Sequence, residues 1–155
     1  DIKFVKEKKI LAKYFDQISQ STNKYCFGPN NTINALEMGA IDTLLLWEDL
    51  DFYRIILKSS TQEKIIYQKN KTVDASLLID DQNEKFDVIE IILLIDWLTL
   101  NYKKFGAKLV LISDKTSEGN QFCNGFGGLG GMLRWEINFM NLFNQEIDDF
   151  EDNLI

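Results

Sequence analysis

Hydrophobic positions change their period several times along the chain, and each change predicts an element. Phe4, Leu11, Phe15 and Ile18 share one stripe at helical spacing, flanked by Ile10 and Tyr14, in a segment rich in Lys, Glu and Ala. This predicts an amphipathic helix ending near Ser19, with Leu11, Phe15 and Ile18 in the core. Tyr14 widens the stripe beyond what one core contact needs, and a wide aromatic edge can face a partner. Polar Ser21, Thr22 and Asn23 predict a turn, and Lys24 to Phe27 a short extended piece ending at Gly28 and Pro29. A second helix follows, capped by Asn30 or Asn31, apolar through Ile33, Ala35 and Leu36, and closed by Gly39. The unbroken apolar run from Thr43 to Trp47 has strand length, as expected of a strand buried on both faces.

From Tyr53 the texture changes. Residues 53–58 and 63–68 read as two arms of a hairpin around Ser59, Ser60, Thr61 and Gln62. Ala75 to Ile79 and Lys85 to Ile89 are further strand candidates, so residues 54–90 are expected to form a small β-rich insertion. Helical spacing returns from Ile91 to Phe105, through Leu94, Trp97, Leu98 and Phe105. Lys103 and Lys104 suit the negative end of its dipole, and Gly106 is the stop. Lys108 to Ile112 is a strand, and Ser117 is placed to cap a short helix through Cys123. Alternating helix and strand outside the insertion is α/β grammar, with a core of residues 1–53 and 91–140.

Residues 121–135 hold five of the nine glycines. Gly125, Gly127 and Gly130 meet the G-x-G-x-x-G spacing that, before a helix, cradles a pyrophosphate. Here period two follows instead: Leu133, Trp135, Ile137 and Phe139 alternate with Arg134, Glu136 and Asn138, which predicts a strand from Met132. A strand has no N-terminal dipole to aim at phosphate, so nucleotide binding is disfavoured. The glycines are read as permitting positive φ and close backbone approach. In this pattern Arg134 is outward, while Leu133 and Trp135 face inward.

Composition narrows the chemistry. With 155 residues and 45% hydrophobic content the chain can bury one sizeable core. Its longest apolar run, Ile91 to Ile95, is far short of the ~20 residues of a bilayer span. The chain starts Asp1-Ile2-Lys3-Phe4, with neither initiator Met nor signal pattern, and is expected to be a piece of a longer protein. It has no histidine, which removes Ser-His-Asp, Cys-His and H-E-x-x-H schemes. Cys26 and Cys123 stand apart, without the companions of a zinc site or disulfide framework, and suit a reducing cytoplasm. Net charge is -7, of which residues 136–155 supply six acids and no cation, leaving -1 for the rest. Residues 141–155 are therefore expected to be an acidic, disordered tail. Six lysines against three acids in residues 1–25 make the opposite end basic. The nearly neutral body disfavours autonomous nucleic-acid binding.

Several blocks carry a resemblance: Glu7-Lys8-Lys9 with Tyr14 to Gln20, Lys24 to Gly28, Ala35 to Ala40, Asn101 to Ala107, and Gly125 to Gly131. In this order, and across nearly the whole chain, they resemble the C-terminal domain of the eukaryotic class 1 peptide-chain release factors. Surveillance relatives that rescue stalled ribosomes are similar in the core but lack the insertion. The resemblance implies a three-layer α/β/α sandwich with a mixed, L30e-like sheet and an inserted minidomain. It implies a protein-binding role, docking the class 2 termination GTPase and the ATP-binding-cassette ribosome recycling factor within a full-length factor on the ribosome. The GTPase contacts it implies are Tyr14, Phe15, Tyr25, Phe27, Gly131, Met132, Leu133, Arg134 and Trp135. Met132 and Trp135 stand where family members usually carry Ile and Tyr. The family's catalytic Gly-Gly-Gln lies in another domain, so this chain is expected to be no enzyme, to need no cofactor or metal, and to form no stable homo-oligomer. An RNA-binding module is the alternative that L30e-like folds and the lysines of the first helix leave open.

Overall fold

The computed structural model describes residues 2–141; beyond Asn141 the expected acidic tail lies outside the described residues. The order is α1 (Ile2–Ser19), β1 (Tyr25–Phe27), α2 (Pro29–Glu37), β2 (Ile41–Trp47), β3 (Tyr53–Lys58), β4 (Glu63–Gln68), β5 (Asp87–Leu93), α3 (Leu94–Asn101), β6 (Lys108–Ile112), α4 (Ser117–Gly125) and β7 (Leu129–Leu133). Two sheets form, ordered β1-β7-β2-β6 and β4-β3-β5. The first is mixed: β2 runs parallel to β6, while β7 is antiparallel to both β1 and β2. The second is antiparallel throughout.

The period of two in β2 divides the core between two faces. Leu44 and Leu46 pack with Ile33 and Leu36 of α2 and Leu94 and Leu98 of α3. Leu45 packs with Leu11 and Tyr14 of α1 and Phe122 and Cys123 of α4. Helices therefore cover both faces, giving the expected α/β/α sandwich. A third cluster, Ile55, Leu57 and Phe86, belongs to the second sheet.

Several local expectations change. The buried line of α1 is Glu7, Leu11 and Tyr14, while Phe15 and Ile18 are only half-buried. Gly28, not Asn30 or Asn31, is the N-cap of α2, because Pro29 already supplies a fixed φ at the first helical position. Thr116 caps α4 one residue before Ser117, accepting from the Gly119 N–H. Ala75–Leu77 is a 3-10 turn rather than a strand, since Asp74 captures the Ser76 N–H and bends the chain. Ile91 to Leu93 complete β5 instead of opening the helix; their pairing with β3 outweighs helical periodicity. The last strand lies earlier than the alternation implies. The glycines Gly130 and Gly131 are themselves in β7, and Arg134 donates its N–H to Ala40 O, outside the ladder. Trp135 is 45% exposed, so it does not face inward.

Candidate functional site

Three elements meet at one end of the first sheet: the C-terminal half of α1, the edge strand β1, and the connection from α4 to β7. Phe126 sits at their junction. Its ring centroid is 5.6 Å from Phe15 and 5.3 Å from Phe27, the latter edge-on. Phe27 is 44% exposed, and Phe15 and Phe126 are half-buried. Tyr25 and Met132 are cross-strand partners that pack against the buried cluster of Leu11, Tyr14 and Phe122 below this group. A hollow of about 250 Å³ opens beside Tyr25 and Phe27, lined also by Asn31 and Phe139.

Tyr14 is the base of this row and is fully buried. Its ring meets Phe122 and Phe126 edge-on at 5.6 and 6.1 Å, and its hydroxyl donates to Cys26 O at 2.8 Å. Burial, with smaller contributions from Cys26 and Tyr25, pushes the phenol pKa far up, so it remains a donor. A Cβ at Gly130 would stand 2.7 Å from this hydroxyl and 2.6 Å from Cys26 O. Glycine is therefore required there by close packing.

The nine predicted contact residues separate by position. Phe15 and Phe27 flank Phe126, with Tyr14 beneath, and the Tyr25–Met132 pair packs against the same buried cluster as Tyr14. Gly131 and Leu133 are buried in the sheet. Arg134 and Trp135 lie past the other end of β7; from Gly130, opposite Phe27, Arg134 is four residues along, about 13 Å at strand rise. The Arg134 guanidinium donates to Gly106 O at 2.6 Å and lies 3.6 Å from Asp42. Phe126 escaped the sequence reading because it sits inside the glycine run, where periodicity has no grip. Its one signal was being the aromatic residue within G-F-G-G.

The glycine stretch offers no phosphate cradle. Gly127 and Gly128 adopt positive φ of 76° and 78°, and the N–H groups of Phe126 and Gly128 both end on Phe122 O. The stretch leads into β7, not a helix, and the N-terminal end of α4 already holds an anion, the Glu7 carboxylate, which accepts from Thr116 and Ser113. Burial pushes the Cys26 and Cys123 thiols up to about 12, which keeps both protonated and unreactive. Among the described residues no group of His, Cys, Asp or Glu gathers as a metal site, and no helix is long and apolar enough to cross a membrane.

Comparisons with known proteins agree over nearly the whole length. The family model described as eRF1 domain 3 matches residues 4–137. The chain is 44% identical over 159 residues to eukaryotic peptide chain release factor subunit 1-2 of Brassica oleracea var. botrytis, covering 99% of this chain and 36% of that protein. It is 41% identical over 155 residues to eukaryotic peptide chain release factor subunit 1 of Dictyostelium discoideum, covering 98% of this chain and 35% of that one. The chain thus spans just over a third of these relatives. Among solved structures it is similar to the C-terminal domain of a peptide chain release factor from Methanosarcina mazei, with a TM-score of 0.75 and 25% identity over 87% of this chain and 85% of that one. The fold is also shared with Dom34 of S. cerevisiae, described as a translation termination-like factor interacting with Hbs1, with a TM-score of 0.54 and 17% identity over 86% and 28% of the two chains.

Proposed function

This chain belongs to the eRF1 domain 3 family, and on that premise we propose that it is the docking domain through which a termination factor engages its class 2 GTPase. The observation that carries the reading is the partly exposed aromatic row Phe15, Phe126 and Phe27 resting on the buried Tyr14. Interfaces concentrate their energy in a few aromatics held rigid from below, because little rotamer freedom is lost on binding. Tyr25 and Met132 extend this surface across the β1–β7 pair. Docking there couples stop-codon recognition, on a domain outside this chain, to GTP hydrolysis on the partner. The recycling ATPase then uses the same domain once the GTPase has left. Ester hydrolysis belongs to a part of the factor outside this chain.

Phe126→Ala should weaken GTPase binding by about 2 kcal/mol, roughly thirtyfold, with Phe15→Ala comparable. Calorimetric titration on proteins of matched melting temperature reads this directly. Unchanged affinity in both variants overturns the proposal. Arg134→Glu reports how far the surface runs: its guanidinium is held by Gly106 and Asp42 at the other end of β7, and a smaller loss is expected.

A further inference from the structure

A groove of about 1000 Å³ separates the two sheets, with α2 on one side and β4 on the other. It shares no residue with the aromatic row. On the helix side stand Asn30, Asn34 and Glu37; on the strand side Glu63, Ile65 and Tyr67 alternate along one face of β4. Met38, half exposed, and Ile65 leave apolar surface open at its walls. Apolar surface ringed by polar groups, lying between two lobes, is where ligands are received.

Charge and shape select the occupant. Among the described residues Glu37 and Glu63 are the charged side chains in the lining, and the nearby Arg54 guanidinium is turned onto the Trp97 ring behind Tyr67. Such a lining repels a nucleic-acid backbone and favours cationic side chains. Asn30 to Glu37 spans about 10 Å of helix, and Glu63 to Tyr67 about 13 Å of strand, which matches some four residues of extended peptide. Each Asn amide offers one acceptor and an NH₂, the complement of a peptide unit. The floor is preformed: Tyr67 lies beside the Arg54 guanidinium, which is stacked 4.5 Å from the Trp97 ring of α3.

We propose that the groove between α2 and β4 binds an extended, basic segment of a partner protein, with its cations on Glu37 and Glu63 and its backbone on the Asn30 and Asn34 amides. The probe is an acetylated, amidated pentapeptide alternating arginine with isoleucine and valine, titrated into the 155-residue chain at low salt and followed by NMR. Saturable shifts are expected at the Asn30 and Asn34 side-chain amides and the Ile65 methyls. Glu37→Gln combined with Glu63→Gln should weaken binding tenfold or more, as should about 0.5 M salt. Both carboxylates are exposed, so the double variant should melt as the parent does. Equal shifts from a peptide with glutamate in place of arginine, an unchanged affinity in the double variant, or shifts confined to other surfaces overturn the assignment.

Discussion

Glu7 brings a carboxylate into the contact between α1 and α4, where its residue is 2% exposed. One oxygen accepts from the Ser113 N–H at 2.6 Å; the other accepts from the Ser113 and Thr116 hydroxyls at 3.2 and 2.6 Å. The Thr116 hydroxyl in turn accepts from Gly119 N–H at 2.9 Å, so the chain of bonds ends in the first turn of α4. A charged acceptor at the positive end of a helix is favourable twice, through the dipole and through charge-assisted bonds. Glu7→Gln keeps the volume but replaces an acceptor with an NH₂ facing donors, and should cost about 2 to 3 kcal/mol in denaturant-unfolding stability. A loss under about 0.5 kcal/mol would show that water serves the site equally well. Periodicity assigns a Glu to solvent, so this residue was invisible to it, as was the inward turn of Tyr14. Both bury a polar atom whose partner lies far away in sequence, Cys26 for one and Ser113 for the other.

At the scale of elements, the second sheet depends on Asp80, which is 6% exposed. Its carboxylate accepts from the Ser59 and Thr61 hydroxyls at the β3–β4 turn and from the Gln82 and Glu84 N–H groups, the last two at 2.8 Å. Burial alone raises its pKa, but the four bonds outweigh that and hold it at about 2, below the ordinary 3.8. A depressed carboxylate stabilises the folded state when ionised. That contribution is complete above the unfolded value and is lost as pH falls from 3.8 towards about 2. Asp80→Asn should therefore lower the melting temperature at neutral pH, with the gap from the parent closing across that interval. A constant gap would mean that the carboxylate does not stay ionised there. Elements were legible where local pattern and pairing agree, as in the β3–β4 hairpin, β6 and the stop at Gly106. They were misread where a tertiary partner decides. Ile91 to Leu93 fit a helix by spacing and a strand by ladder, and the ladder with β3 prevails. Gly130 and Gly131 have poor strand propensity, yet Gly130 is needed in β7 because Cys26 O and the Tyr14 hydroxyl leave no room for a Cβ, and Gly131 packs tightly against Ile41.

For the molecule as a whole, the two sheets meet through few contacts. Phe52 O accepts from Leu94 N–H at 2.9 Å, so the chain enters and leaves the second sheet at one point. That sheet has its own small core of Ile55, Leu57 and Phe86. Its ties to the larger lobe include the Arg54–Trp97 stack, the packing of Tyr67 against the first core cluster, and Lys69 on Asp51 and the Phe52 ring. The aromatic row draws on α1, β1 and the α4–β7 connection, and on nothing between Tyr53 and Leu93. Replacing residues 54–92 with a three-residue Gly-Ser-Gly link should then leave a folded four-stranded domain, since Phe52 and Leu94 already lie within hydrogen-bonding distance. Its affinity for the GTPase should stay within about threefold of the parent, as expected for sites without shared partners. Binding of the basic pentapeptide should vanish, because β4 supplies one wall of its groove. Circular dichroism checks the fold and paired titrations the two affinities. Should the excised chain unfold, the two sheets form one cooperative unit and the Arg54–Trp97 contact holds more than its size implies; should it fold but lose the GTPase, the docking surface extends onto the insertion.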